Sequence, residues 1–265
     1  IFMLWLYLYF PSLQLDCLYQ SSTSPEKKKA SHKALGNKPG NRMTEKAPLI
    51  IVDSKSNQVV QVNQTGLLAG IKVGMGLATS ASLCHDLQVI PYQEEVENLQ
   101  LKHIAQELYA LTADISFDPP NGLYIKVGNM LTLYQSLQHY WQAVQEHFEQ
   151  AHYHFYYASA YSPYAAKLIA LAKINLISED KQRITPVLAS LPTSLLDTHN
   201  KNKQALKRLG IKKLGQLLAL DRKELTKRFE LAFTVYLTKI KGELPCTLVV
   251  YQPEVVFSRY LELLY

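Results

Sequence analysis

Short, strongly apolar runs alternate along this chain with amphipathic stretches. Residues 4–10 (Leu-Trp-Leu-Tyr-Leu-Tyr-Phe) contain no charged or amide position and stop at Pro11, which predicts a buried first strand. A turn and a short apolar stretch follow to Tyr19. Residues 20–46 turn Ser/Thr-rich and then Lys/Gly/Asn/Pro-rich, which reads as a flexible insertion. Pro48–Asp53 is a second buried strand, and Gln58–Val62 its hairpin partner. Residues 65–78 predict a short helix, a stop at Gly70, a turn and a second helix to about Cys84, before a short strand at Leu87–Ile90. Val96, Leu99, Ile104, Leu108 and Leu111 recur at helical spacing within residues 93–112. Two apolar stretches flank Pro119-Pro-Asn-Gly122, predicting a hairpin over Ile115–Val127. One long helix over 130–148, a strand over His154–Ser159 and a helix opened by Ser162-Pro163 complete this part. The order predicts an α+β fold in a βαββαβ layout, with an antiparallel sheet and helices on one face.

After residue 190 the chain reads as helical and basic. In Leu206-Lys-Arg-Leu-Gly-Ile-Lys-Lys-Leu-Gly-Gln-Leu-Leu218, apolar Leu206 and Leu209 precede Gly210, and Ile211, Leu214, Leu217 and Leu218 follow it. Two short helices packed through these residues, with Gly210 allowing a tight turn and close backbone approach, form a helix-hairpin-helix. The second helix start would offer unpaired N–H groups to a phosphate, beside Lys207, Arg208, Lys212 and Lys213. These residues predict a grip on nucleic-acid backbone that does not read sequence. An ordinary helical hairpin with solvated lysines has the same letters.

Charge sharpens the pattern. The 265 residues carry a net charge of +6. Residues 26–46 hold seven Lys/Arg against two Glu, and residues 201–230 hold ten against three acids, so the remainder is acidic at −6. Two basic segments on an acidic body suggest a polyanionic partner, although a basic loop and a solvated helix face account for the numbers equally. The three cysteines (17, 84 and 246) form no CxxC and suit a reducing cytosol. The apolar N-terminal run is too short to span a bilayer and has no signal-peptide features, so no membrane association is expected. The lack of Met at position 1 fits a start at Met3 or a fragment.

Ala69-Gly-Ile-Lys-Val-Gly-Met-Gly-Leu-Ala78 and Leu83-Cys-His-Asp-Leu-Gln-Val-Ile-Pro91 resemble the fingers segment of Y-family DNA polymerases. The likeness continues through Ser116-Phe-Asp118, Tyr157–Lys167 and the helix-hairpin-helix. It implies a right-hand architecture: palm at 1–16 and 87–173, fingers at 17–86 with the insertion 20–46, helix-hairpin-helix thumb at 174–240, and a linker with the start of a little finger at 241–265. Active members hold two Mg²⁺ ions on carboxylates from the first strand and from a Ser-x-Asp-Glu hairpin. Those positions fall here on Tyr7, Tyr9, Asp118 and Pro119, so Asp118 alone remains of the expected acids. Tyrosine is neutral at pH 7 and cannot replace a metal-binding carboxylate. The triphosphate-gripping Tyr-x-x-Arg pair falls on Gln64 and Leu67, the sugar gate near Ser12, and the first lysine of the later helix on Pro163, while Lys167 keeps the second.

Leu4-Trp-Leu-Tyr-Leu-Tyr-Phe-Pro-Ser-Leu13, the Phe117–Gly122 turn and Arg228-Phe229 resemble the ImuB group of this family. That resemblance implies a non-enzymatic, cytoplasmic, DNA-damage-induced bacterial adaptor that needs no metal or cofactor. Its implied partners are DNA, the sliding clamp, an error-prone C-family polymerase and a RecA-like accessory protein. Val256–Leu263 looks like the first little-finger strand, and the partner-binding regions beyond it are absent from this sequence. Gln216-Leu-Leu-Ala-Leu220 resembles a clamp-binding peptide faintly, but its leucines are needed for packing. His147, His152 and His154 fit an aromatic strand better than a metal site, and Asp114 with Asp118 lacks a third acid. Two other functions fit some of these features: an active polymerase with a rebuilt site, and a plain helix-hairpin-helix module.

Overall fold

The structure is a computed structural model that describes residues 3–23, 47–149 and 153–253. Most of the predicted basic insertion, His152 and the predicted little-finger strand lie outside the described residues.

Strand β1 (Trp5–Tyr9) is the axis of the larger sheet. It pairs antiparallel with β6 (Gly122–Lys126) on one side and β7 (Tyr156–Ala160) on the other, and β6 pairs with β5 (Ile115–Asp118), giving the order β5-β6-β1-β7. Alternation along β1 sends its side chains to two different cores. Leu4, Leu6 and Leu8 pack with α4 (Glu94–Leu108) and α6 (Leu137–Glu149). Trp5 and Tyr7 pack with α7 (Pro163–Leu171), and that core continues without a break into the C-terminal helices. The expected antiparallel sheet is present, but helices cover both of its faces instead of one. A central strand without a charged or amide side chain must be covered on both sides.

A smaller sheet has the order β3-β2-β4. β2 (Leu49–Asp53) and β3 (Gln58–Val62) form the expected hairpin, and β4 (Gln88–Pro91) runs parallel to β2. The strand read at the start of the second palm segment is therefore hydrogen-bonded to the small sheet. Helix α1 (Leu13–Thr23) replaces the expected turn and short apolar stretch and also takes the first residues assigned to the insertion. Helices α2 (Gln64–Leu68) and α3 (Leu77–Leu83) flank the predicted stop at Gly70, whose φ is +90°. Buried polar contacts tie the sheets together. The Gln14 amide donates to the Pro91 carbonyl at 3.0 Å, and its oxygen accepts from Gln93 N–H at 2.9 Å. Gln61 accepts from Leu15 N–H at 3.1 Å and donates to Glu97 at 2.5 Å. Tyr92 donates to the other Glu97 oxygen at 2.7 Å, and burial raises the Glu97 carboxyl above its usual range.

The predicted long helix over 130–148 is two, α5 (Met130–Tyr134) and α6, broken where Gln135 takes a φ of +64°. The C-terminal helices are α8 (Lys181–Ser190), α9 (Asn200–Arg208), α10 (Leu214–Leu218), α11 (Arg222–Arg228) and α12 (Leu231–Ile240). Leu206, Leu214 and Leu217 are buried at their shared core, whereas Leu209, expected in that packing, is exposed. Ser162 Oγ donates to the Lys239 carbonyl at 2.6 Å and joins the start of α7 to α12.

Candidate functional site

The β5–β6 hairpin brings the one remaining acid to β1. Asp118 ends β5 opposite Gly122, which in turn lies opposite Tyr9 of β1. Tyr7 sits two residues back on β1, opposite Tyr124. Its hydroxyl donates to Asp118 Oδ2 at 2.5 Å. The ring reaches that oxygen by crossing Gly122: a Cβ there would stand 1.9 Å from the Tyr7 hydroxyl oxygen. Sequence reasoning took Gly122 only as a turn residue, and no local signal marks it as the space into which a distant tyrosine extends.

Lys167 closes the other side. It lies on α7, and its Nζ stands 2.7 Å from the same Asp118 oxygen, with both side chains mostly buried. Burial, and secondarily the Asp118 carboxylate, push the Tyr7 phenol well above its ordinary value. Tyr124, whose ring centroid is 4.8 Å from that of Tyr7, is raised for the same two reasons in the same order. Both phenols are therefore neutral donors at neutral pH. Tyr9 turns to Tyr156, with ring centroids 6.4 Å apart, and burial raises its phenol too. Pro119 is exposed at the hairpin turn. Asp114 lies at the other end of β5, where it accepts from Asn129 at 3.2 Å. Among the described residues no three His, Cys, Asp or Glu side chains converge on a point that could hold a metal ion.

A cleft of about 610 Å³ opens between the two sheets, lined in part by Tyr156, the partner of Tyr9. Ser12, Gln64 and Leu67, the positions matched to the sugar gate and the triphosphate grip, all line it. Asp16, His154 and Lys173 line it as well and were not among the expected site residues. Burial pushes the Asp16 carboxyl up to about 7, against a 3.0 Å hydrogen bond from His154 N–H that favours the charged form. Burial, and then the nearby Lys173 charge, lower His154.

The third region is the α9–α10 turn. Gly210 has the positive φ that the turn requires, +67°, but open space surrounds a Cβ placed there. The close approach occurs at Gly215, where a Cβ would stand 2.8 Å from that of Ala189 on α8. Lys207, Arg208, Lys212 and Lys213 are all exposed. Three N–H groups at this helix start are satisfied internally: Gln216 Oε1 accepts from Lys212 N at 3.1 Å and Lys213 N at 3.2 Å, and Leu214 N donates to the Leu191 carbonyl at 2.7 Å. The exposed cations are what this turn offers a ligand. Lys203, one turn before Lys207, joins Lys207 and Lys212 along a shallow groove of about 460 Å³. In Gln216–Leu220, Leu217 is fully buried and Gln216 caps the turn, so both serve the fold.

The sequence profile of the impB/mucB/samB family matches residues 34–170, just over half of the chain. The chain belongs to that family. No curated protein sequence matches. Among solved structures, the chain is similar to a Y-family DNA polymerase chimera of Dbh and Dpo4, at 17% identity and a TM-score of 0.66, covering 93% of this chain and 70% of that one. It is similar to Dbh DNA polymerase in a post-insertion binary complex, at 18% identity and 0.67, covering 93% and 69%. It is also similar to DinB from Sulfolobus solfataricus, at 18% identity and 0.62, covering 91% and 67%. At these identities the likeness establishes the fold, which is the expected α+β Y-family polymerase architecture. Among the described residues no helix is long and apolar enough to cross a membrane.

Proposed function

We propose that this chain is a non-catalytic, Y-family polymerase-like protein of the ImuB type that binds DNA and assembles partners during error-prone synthesis across damaged template. The observation that carries this reading is the double occupancy of Asp118 Oδ2 by the Tyr7 hydroxyl and the Lys167 ammonium. The family's reaction calls for divalent ions held on several carboxylates, and the residues present do not fit them. One carboxylate, already neutralised by an ammonium and flanked by neutral phenols, is a poor donor set for a hard dication. Among the described residues that line the cleft with Ser12, Gln64 and Leu67, none is an arginine that could hold a triphosphate.

DNA is the proposed partner of the α9–α10 turn, through Lys207, Arg208, Lys212 and Lys213 around Gly210. The exposure of these cations supports backbone contact, which is sequence-independent and salt-sensitive. The resemblance to the ImuB group adds the sliding clamp, a C-family polymerase and a RecA-like accessory protein, in a bacterial cytoplasm under DNA damage. The division into palm, fingers, thumb and linker belongs to the same proposal.

Primer extension on a primed template with all four dNTPs and Mg²⁺ or Mn²⁺, run beside DNA binding by the same sample, tests the reading. Binding without extension is the expected result. Extension that Asp118→Ala abolishes overturns it and favours a polymerase with a rebuilt site.

A further inference from the structure

The non-catalytic reading leaves one fact without a role: an acid survives where its metal-binding neighbours do not. We propose that Lys167 is the built-in cation of this site, supplying the positive charge that Asp118 would otherwise draw from a divalent ion. This deepens the reading above and rests on it.

Three observations carry the proposal. The Lys167 Nζ stands 2.7 Å from Asp118 Oδ2, a contact-distance ion pair with side chains 24% and 21% exposed, so water weakens the attraction far less than at an open surface. The same oxygen accepts from Tyr7 at 2.5 Å, so its hydrogen-bonding capacity is met from within the chain. Both donors come from rigid elements. Tyr7 is locked in a central strand over Gly122, and Lys167 rises from a helix whose Ala165, Ala166, Leu168 and Ile169 are buried. A dication approaching Asp118 would therefore meet a fixed ammonium that repels it. Lys167 acts through Asp118 as a positioning residue: it holds the end of the β5–β6 hairpin to α7 and pairs with the carboxylate in place of a metal.

Thermal unfolding of the full chain in EDTA and in millimolar Mn²⁺ tests this directly. The unmodified protein is expected to unfold at the same temperature in both. Lys167→Met is expected to unfold earlier in EDTA and to recover progressively as Mn²⁺ is added, because the unpaired carboxylate then has use for a metal. Adding Asp118→Asn to that variant is expected to abolish the metal response. Lys167→Gln, which keeps the stem and a hydrogen-bond donor, serves where Lys167→Met does not fold. Electron paramagnetic resonance titration is expected to find Mn²⁺ bound about tenfold or more tightly by Lys167→Gln than by the unmodified chain, the effect of removing a contact-distance like charge. A metal-dependent unfolding temperature in the unmodified chain, or lysine variants indifferent to Mn²⁺, overturns the proposal. Neither result involves nucleotide incorporation, so the proposal can fail while the non-catalytic reading stands. Primer extension decides that reading separately.

Discussion

The Asp118 cluster and the α9–α10 turn both carry charged side chains that the sequence brings forward, and the structure treats them in opposite ways. In the first, the polar groups satisfy one another: Tyr7 and Lys167 converge on a single carboxylate oxygen in a mostly buried setting. In the second, four cations stand in solvent around a turn where Gln216 and Leu191 accept from the Lys212, Lys213 and Leu214 N–H groups. The contrast teaches that the same architecture can turn one charged site into packing while leaving another open to a ligand. Substitutions in the cluster and at the buried Asp16 of the cleft should therefore be read in stability, and substitutions at the turn in binding.

The largest effect is expected at Asp16, in the cleft between the two sheets. Its folded-state carboxyl is raised to about 7 by burial, so the folded protein binds this proton more tightly than the unfolded chain does. Stability from this group is complete at low pH and falls as pH rises from about 4 to about 7. Asp16→Asn should flatten that slope and stabilise the protein at pH 8 by up to about 4 kcal/mol, about three pKa units at ~1.36 kcal/mol each. Urea unfolding across pH 4–8 measures it, and a variant less stable than the parent at pH 8 would break the contrast. Gly122→Ala comes next. Elsewhere in a strand this change is neutral or favourable, but here the new Cβ meets the Tyr7 hydroxyl oxygen at 1.9 Å. Overpacking of this kind should cost about 3 kcal/mol in the same assay. The smallest effect on stability belongs to the turn. Lys212→Glu with Lys213→Glu should change unfolding by less than about 0.5 kcal/mol, as exposed substitutions do. The pair should nevertheless weaken DNA binding and reduce the dependence of log affinity on log salt by about 2. Unchanged affinity and salt slope would remove the turn from the interface.

Much of the fold was legible because its signals are local. The apolar run 4–10, the hairpin around Pro119–Gly122 and the Ser162-Pro163 helix start each carry their own pattern, and each element is present where it is expected. Helix α1 was not legible. Leu13 packs into the larger sheet's core and Leu15 into the smaller sheet's, so its apolar residues form no single stripe. Helices on both faces of the sheet could have been inferred from the composition of β1 alone, but the element order suggested one face. At the candidate sites the replaced acids were visible as letters, whereas Asp16 was not, because it meets Gln64, His154 and Lys173 in the cleft only through elements distant in sequence. Lys203 stands one helical turn before Lys207, so its place in the basic groove is a local signal.

By itself the sequence determined the residue types available for chemistry: tyrosines for acids on β1, one carboxylate on the hairpin, one lysine on α7, and a cluster of cations near Gly210. Only the tertiary structure decided that Tyr7, 111 residues from Asp118, shares its oxygen with Lys167, and that Gly122 is the gap that lets the ring pass. The physical reason lies in range. Backbone pattern and side-chain chemistry are read over a few residues, whereas an ion pair at 2.7 Å depends on strand register and helix packing set by the whole chain.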